Sequence, residues 1–162
     1  MSAIDHLVHA NTKYVATFPG PRPLRPKLRL CVITCMDSRL DLFEALGLEI
    51  GDAHLIRNAG GIPTPDVLRS LALSQRALGT REVTIIHHTQ CGMDGFDDEA
   101  FRAELAAAAG DVPPWDTPGF TDLYEDTRRS VETVRNCSWI PHRDEVRGFV
   151  FDVATGGLSE VR

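Results

Sequence analysis

Two short segments of this sequence hold side chains able to do metal chemistry. One is Cys35-Met-Asp37-Ser-Arg39 and the other is His88-Thr-Gln-Cys91-Gly92. Two soft thiolates and an imidazole suit zinc and are poor ligands for magnesium or calcium. Two thiolates and a neutral imidazole also cancel the charge of Zn²⁺, which leaves a fourth position for water, hydroxide or a carboxylate. Three protein ligands with an open position is the catalytic zinc pattern, whereas structural sites are usually closed by four. Zinc lowers the pKa of its water to about 7 and so supplies hydroxide at neutral pH. Asp37 follows the first ligand by two residues and can either hydrogen-bond that water or take the fourth position itself. Arg39, two residues further on, can hold the carboxylate in a bidentate pair.

The elements around these segments must bring positions 35 and 88–91 together. Residues 28–34 form a nearly continuous apolar run, as expected of a strand buried on both faces. Residues 53–56 and 83–87 read as a second and third strand, and 148–153 as a fourth, which Gly156-Gly157 can turn into a C-terminal hairpin. Helical spacing occupies 40–46, 99–109 and 121–135. The clearest helix opens at Thr64-Pro65-Asp66, with a cap, a proline at N1 and an acid in the first turn. Val67, Leu68, Leu71, Leu73 and Leu78 give it an apolar stripe, and Gly79 ends it. Strands alternating with helices predict a three-layer α/β fold around a mainly parallel sheet of four or five strands. Each chemical segment begins where a predicted strand ends, the place where open α/β sheets bind ligands.

Residues 1–27 predict a short amphipathic helix and a Pro-rich connection, an arm with little core of its own that packs on a partner surface. Residues 28–162 are expected to form the catalytic domain. The net charge of −6 and the scattered basic residues give no electrostatic footprint for nucleic acid. No apolar run approaches the ~18 residues needed to span a bilayer. Asp5, His6 and His9 fall where a signal peptide needs an apolar stretch, so a cytoplasmic protein with reduced cysteines is expected.

Other candidates compete for these roles. Cys31 lies on the same strand as Cys35, too far along it at ~3.3 Å per residue to share an ion or a disulfide, and reads as packing. Cys137 reads as a free thiol. His87 and His88 point to opposite faces of a strand, so only one reaches the metal, and the spacing to Cys91 favours His88. His54 and His142 have no partner spacing. Asn58-Ala59-Gly60-Gly61 is both a strand-to-helix turn and a way of bringing backbone N–H groups to a substrate; Asn58, Gly60, Gly61 and Gly92 are assigned to the pocket.

Taken together, Cys35-x-Asp37-x-Arg39 and His88-x-x-Cys91 resemble the β-class carbonic anhydrases. The resemblance continues through Arg57-Asn58-Ala59-Gly60-Gly61 and Leu78-Gly79-Thr80-Arg81, and covers most of the chain from 28 to 153. It implies one zinc ion per chain, held by Cys35, His88 and Cys91, and reversible hydration of carbon dioxide to bicarbonate and a proton through attack of zinc-bound hydroxide. It implies that Asp37 and Arg39 are the dyad orienting the nucleophile, and that in some members the aspartate swings onto the metal. It implies a homodimer, or a larger assembly built from dimers, with the N-terminal helix reaching across to its partner. Gly61 departs from the resemblance, since a larger and more variable residue is expected there. Two rivals stand beside the leading reading: a hydrolase of carbon disulfide or carbonyl sulfide on the same fold, and a non-catalytic module in which zinc only holds the structure.

Overall fold

A computed structural model describes residues 2–162. Helices α1 (Ala3–Thr17), α2 (Leu42–Leu46) and α3 (Pro65–Arg76) alternate with strands β1 (Leu30–Cys35), β2 (Ala53–Asn58) and β3 (Glu82–His88), and are followed by helices α4 (Asp98–Ala109) and α5 (Leu123–Asn136) and strands β4 (Val146–Phe151) and β5 (Leu158–Val161). The strands form one sheet in the order β2-β1-β3-β4-β5. The first four are parallel, and β5 returns antiparallel on β4 through the Gly156-Gly157 turn. This is the mainly parallel α/β architecture that the strand and helix patterns predict. From β1 the chain crosses to β2 on one side, and the next crossover brings β3 to the other side. The carboxyl ends of β1 and β3 therefore lie side by side at the point where strand order reverses, outside which α/β sheets bind ligands.

Alternation along the strands divides the core in two. Cys31, Ile33, Val83 and Ile85 point to one face and pack with Val67 and Leu71 of α3 and Val131 and Val134 of α5. Val32 and Ile86 point to the other face, where Leu42 of α2, Leu40, Met93 and Phe120 cover them. Cys35 and Cys91 belong to this second cluster, so the thiols sit at the edge of an apolar layer.

Helix α3 begins as its sequence dictates: Thr64 caps the Val67 amide, and Pro65 needs no amide partner at the first position. Its predicted stripe needs two corrections: Leu78 lies past the last helical residue, Arg76, and Leu73 faces outward. Leu73 is 58% exposed, while Ser74 and Gln75 are buried. These two polar residues are satisfied inside: Ser74 meets His54 Nδ1 at 2.8 Å and Thr80 Oγ1 at 2.7 Å. Gln75 exchanges hydrogen bonds with the backbone of His142. Paired polar groups cost little to bury.

Helix α1 carries a full capping box at Ser2 and Asp5 yet buries no residue. Ile4, Leu7, Val8, Val15 and Phe18 are all at least half exposed. Beyond it the chain is tied to the domain by Lys27 and Leu28, whose amides donate to the carbonyls of Gly51 and Asp52.

Candidate metal centre

Cys35 is the last residue of β1, His88 the last of β3, and Cys91 follows one turn later. The parallel register of β1 and β3 brings them together although the two cysteines are 56 positions apart. One ligand atom from each of Cys35, His88 and Cys91 lies within 4.8 Å of the others, and all three residues are buried. The two sulfurs are 3.9 Å apart. Two Zn–S bonds of ~2.3 Å at a tetrahedral angle require a separation of about 3.8 Å, so the cysteines already stand at ligand spacing.

The imidazole is set in the form a metal needs. His88 Nδ1 lies 2.9 Å from the Thr89 carbonyl, so this nitrogen carries the proton and donates it. That leaves a lone pair on Nε2, which is buried and has no hydrogen-bond partner. Burial lowers the pKa of His88 and favours its neutral form. Burial, with the neighbouring Cys35 sulfur adding to it, pushes the Cys91 thiol up to about 11. A coordinated metal deprotonates a thiol outright. An orphaned nitrogen and two crowded sulfurs converging on one point fit zinc.

Asp37 and Arg39 stand beside this group. Arg39 donates from Nε to Asp37 Oδ1 at 2.9 Å and from a terminal nitrogen to Oδ2 at 2.7 Å, and its backbone amide also donates to Oδ1. These bonds hold the Asp37 carboxyl well below the usual carboxylate range. Oδ2 is also 3.8 Å from His88 Nε2, so one carboxylate oxygen faces both the guanidinium and the unpartnered imidazole nitrogen. Arg39 further donates to the Gln90 carbonyl at 2.9 Å, which joins the two chemical segments. Gln90 adopts φ 55°, a conformation uncommon outside glycine, between His88 and Cys91.

The pocket candidates are placed unevenly. Asn58 Nδ2 donates to the Ile62 carbonyl at 2.8 Å, while its Oδ1 is buried without a partner. Gly60 and Gly61 both have positive φ. A Cβ on Gly61 would lie 2.6 Å from the Cys35 nitrogen and 2.7 Å from the Thr34 carbonyl carbon. The larger residue expected at Gly61 therefore has no room: the turn presses against the backbone that carries the first ligand. Gly92 is exposed, with open space around it.

His87 turns to the opposite face, where its Nδ1 is 3.2 Å from Asp126 Oδ2. Both nitrogens of His87 nonetheless lack an aligned hydrogen bond, so this contact is a close approach and not a directed bond. Arg129 takes the other oxygen of Asp126. Cys31, Cys35, Cys91 and Cys137 are all free thiols.

Sequence reading missed Gln90 and the part played by Arg57, whose guanidinium bonds to the segment between Cys35 and Leu40. The one signal in the sequence is that Arg57 opens the Arg57-Asn58-Ala59-Gly60-Gly61 stretch of the resemblance.

A family profile described as carbonic anhydrase matches residues 30–115. Beta-carbonic anhydrase 1 of Mycobacterium tuberculosis is 44% identical over 161 residues, covering 99% of each chain. A carbon disulfide hydrolase of Saccharolobus solfataricus is 52% identical over 156 residues, covering 82% of this chain and 76% of its own. The crystal structure of a carbonic anhydrase from Streptococcus mutans superposes with a TM-score of 0.92 at 41% identity, covering 100% of this chain and 99% of that one.

Proposed function

The chain belongs to the β-carbonic anhydrase family, and from that premise we propose which of its residues carry the reaction. The enzyme is a zinc-dependent carbonate dehydratase that hydrates carbon dioxide reversibly to bicarbonate and a proton. Cys35, His88 and Cys91 are the ligands that hold the zinc, and the single observation carrying this assignment is their convergence within 4.8 Å. When bound, zinc supplies the Lewis acidity that makes a water molecule acidic near pH ~7.

The remaining work falls to side chains. Asp37 Oδ2 accepts a hydrogen bond from the attacking oxygen and so fixes the direction of its lone pair toward the carbon. Arg39 keeps Asp37 ionised and aimed, because both carboxylate oxygens are bound to one rigid guanidinium. Asn58, Gly60, Gly61 and Gly92 belong to the pocket in this proposal. The tight seat of Gly61 against Cys35 and the orphaned Asn58 Oδ1 support the part of it nearest the metal.

Residues 1–27 are assigned as an arm and 28–162 as the catalytic domain, in a homodimer or a larger assembly of dimers. The support is α1, which buries nothing against its own chain while presenting a row of apolar side chains. No helix among the described residues is long and apolar enough to cross a membrane. A cytoplasmic location is part of the proposal, supported by four free thiols of the kind a reducing compartment preserves.

Stopped-flow hydration of carbon dioxide by zinc-loaded protein, with Cys35→Ser as control, tests the reading. A wild type no faster than buffer sinks it. The similarity to carbon disulfide hydrolases favours one second reading, tested by sulfide release from carbon disulfide under the same conditions.

A further inference from the structure

Arg57 is the next-to-last residue of edge strand β2, where it is paired in register with Thr34 of β1. Its side chain reaches over the end of β1 and binds three main-chain carbonyls. Nε donates to Cys35 O at 2.9 Å, one terminal nitrogen to Leu40 O at 3.2 Å, and the other to Asp37 O at 2.6 Å. All three acceptors lie in residues 35–40, the segment that holds the first zinc ligand, Asp37 and Arg39. A neighbouring bond ties the same segment to β2, since the Met36 amide donates to Asn58 O at 2.8 Å. A guanidinium presents several donors in a fixed planar fork, which a lysine ammonium cannot reproduce.

The location matters because Asp37 serves two neighbours. Its Oδ2 is 2.7 Å from Arg39 and 3.8 Å from His88 Nε2. Moving the Asp37 backbone by about 1 Å breaks one of these relations, and a misplacement of that size can cost about 100-fold in rate. We infer that Arg57 is a positioning residue for hydration: it pins the backbone of residues 35–40 so that Asp37 faces Arg39 and the metal site together. The inference rests on the assignment of Asp37 and Arg39 to the reaction. Arg57 itself touches neither the zinc ligands' side chains nor the reacting atoms, and acts through the carbonyls.

The test compares zinc-loaded wild type with Arg57→Ala, Arg57→Lys and a control, Arg76→Ala, whose guanidinium binds the Trp139 carbonyl elsewhere. Zinc content, amide hydrogen exchange and carbon dioxide hydration are measured on each. Arg57→Ala should keep its zinc, and its exchange should rise about tenfold, confined to residues 36–40. Its turnover should fall about 10- to 100-fold, in kcat more than in KM. Arg57→Lys should fall between the two, and millimolar methylguanidine should restore part of the activity of Arg57→Ala while leaving Arg76→Ala unaffected. Unchanged exchange at residues 36–40 overturns the inference whatever the activity. So does a loss of activity that comes with lost zinc or with faster exchange throughout the chain, and that methylguanidine does not relieve. An inactive wild type counts against the carbonic anhydrase reading instead, and the exchange comparison still decides whether Arg57 holds the segment.

Discussion

The sulfurs of Cys35 and Cys91 stand 3.9 Å apart without being bonded, each delivered by a different strand end. Their spacing suits a shared cation, and a disulfide requires them to close to about 2.05 Å. Metal removal should therefore expose an oxidisable pair. Zinc-loaded protein treated with diamide should keep four titratable thiols, the number in the sequence. Chelated protein should lose two of them, with a Cys35–Cys91 crosslink in its peptide map. Four thiols persisting after chelation and oxidation would contradict this.

Asp37→Asn keeps the shape of the side chain and removes its charge. The bidentate pair with Arg39 becomes a weaker neutral contact, and the acceptor facing the attacking oxygen is lost or misdirected. Carbon dioxide hydration should fall at least about 100-fold, with zinc stoichiometry unchanged. An equal loss of zinc and activity would assign Asp37 to metal retention instead.

Gly61→Ala forces a side chain into φ +70° and places its Cβ 2.6 Å from the Cys35 nitrogen. The left-handed backbone costs about 1 to 3 kcal/mol, and the clash with main chain adds to it. A loss of about 3 kcal/mol or more lowers the melting temperature by roughly 6–12 °C. A melt within 1 °C of wild type, read by circular dichroism, would show that the turn can move away from β1.

Asp126 links stability to pH. Burial pushes its carboxyl up, but His87 and Arg129 outweigh burial and hold it below its ordinary value. A carboxyl depressed in the folded state adds stability that is present above its unfolded pKa of about 3.9. That stability is lost as pH falls through the lower folded value. Asp126→Asn should therefore be less stable than wild type by about 1 to 3 kcal/mol at pH 7, and the gap should narrow below pH ~4. Urea melts at both pH values check the sign: a gap that widens in acid would refute the linkage.

Leu7→Asp and Val8→Asp place charge on the exposed apolar row of α1. In a free monomer such changes on the surface are worth less than about 0.5 kcal/mol. If the arm covers a second chain, the double variant should run as a monomer in light scattering at concentrations where wild type is a dimer. Identical masses for the two proteins would remove the arm from the interface.

The sequence was most readable where a residue's chemistry and its position in an element agreed. Cys35, His88 and Cys91 stand out by ligand type and by strand ends, and the sheet brings those ends together. Thr64 and Pro65 announced α3 because capping is local. The inward turn of Ser74 and Gln75 was invisible, because it depends on His54, Thr80 and His142 arriving from other parts of the chain. The steric limit at Gly61 is hidden from the sequence for a similar reason. Its constraint comes from the backbone of a strand far upstream, not from its own neighbours. The three bonds of Arg57 likewise belong to strand adjacency, which spacing alone does not reveal.

The adjacency of β1 and β3 has one more consequence. No unfolded stretch of this chain can present the full ligand set, because the two cysteines are 56 positions apart and meet only when those strands pair. Metal uptake is thus a report that the centre of the sheet has formed, and a captured ion closes a long loop whose entropy the unfolded chain would otherwise regain. Zinc scarcity would act on such a protein twice, idling the molecules that have folded and loosening their grip on the native topology.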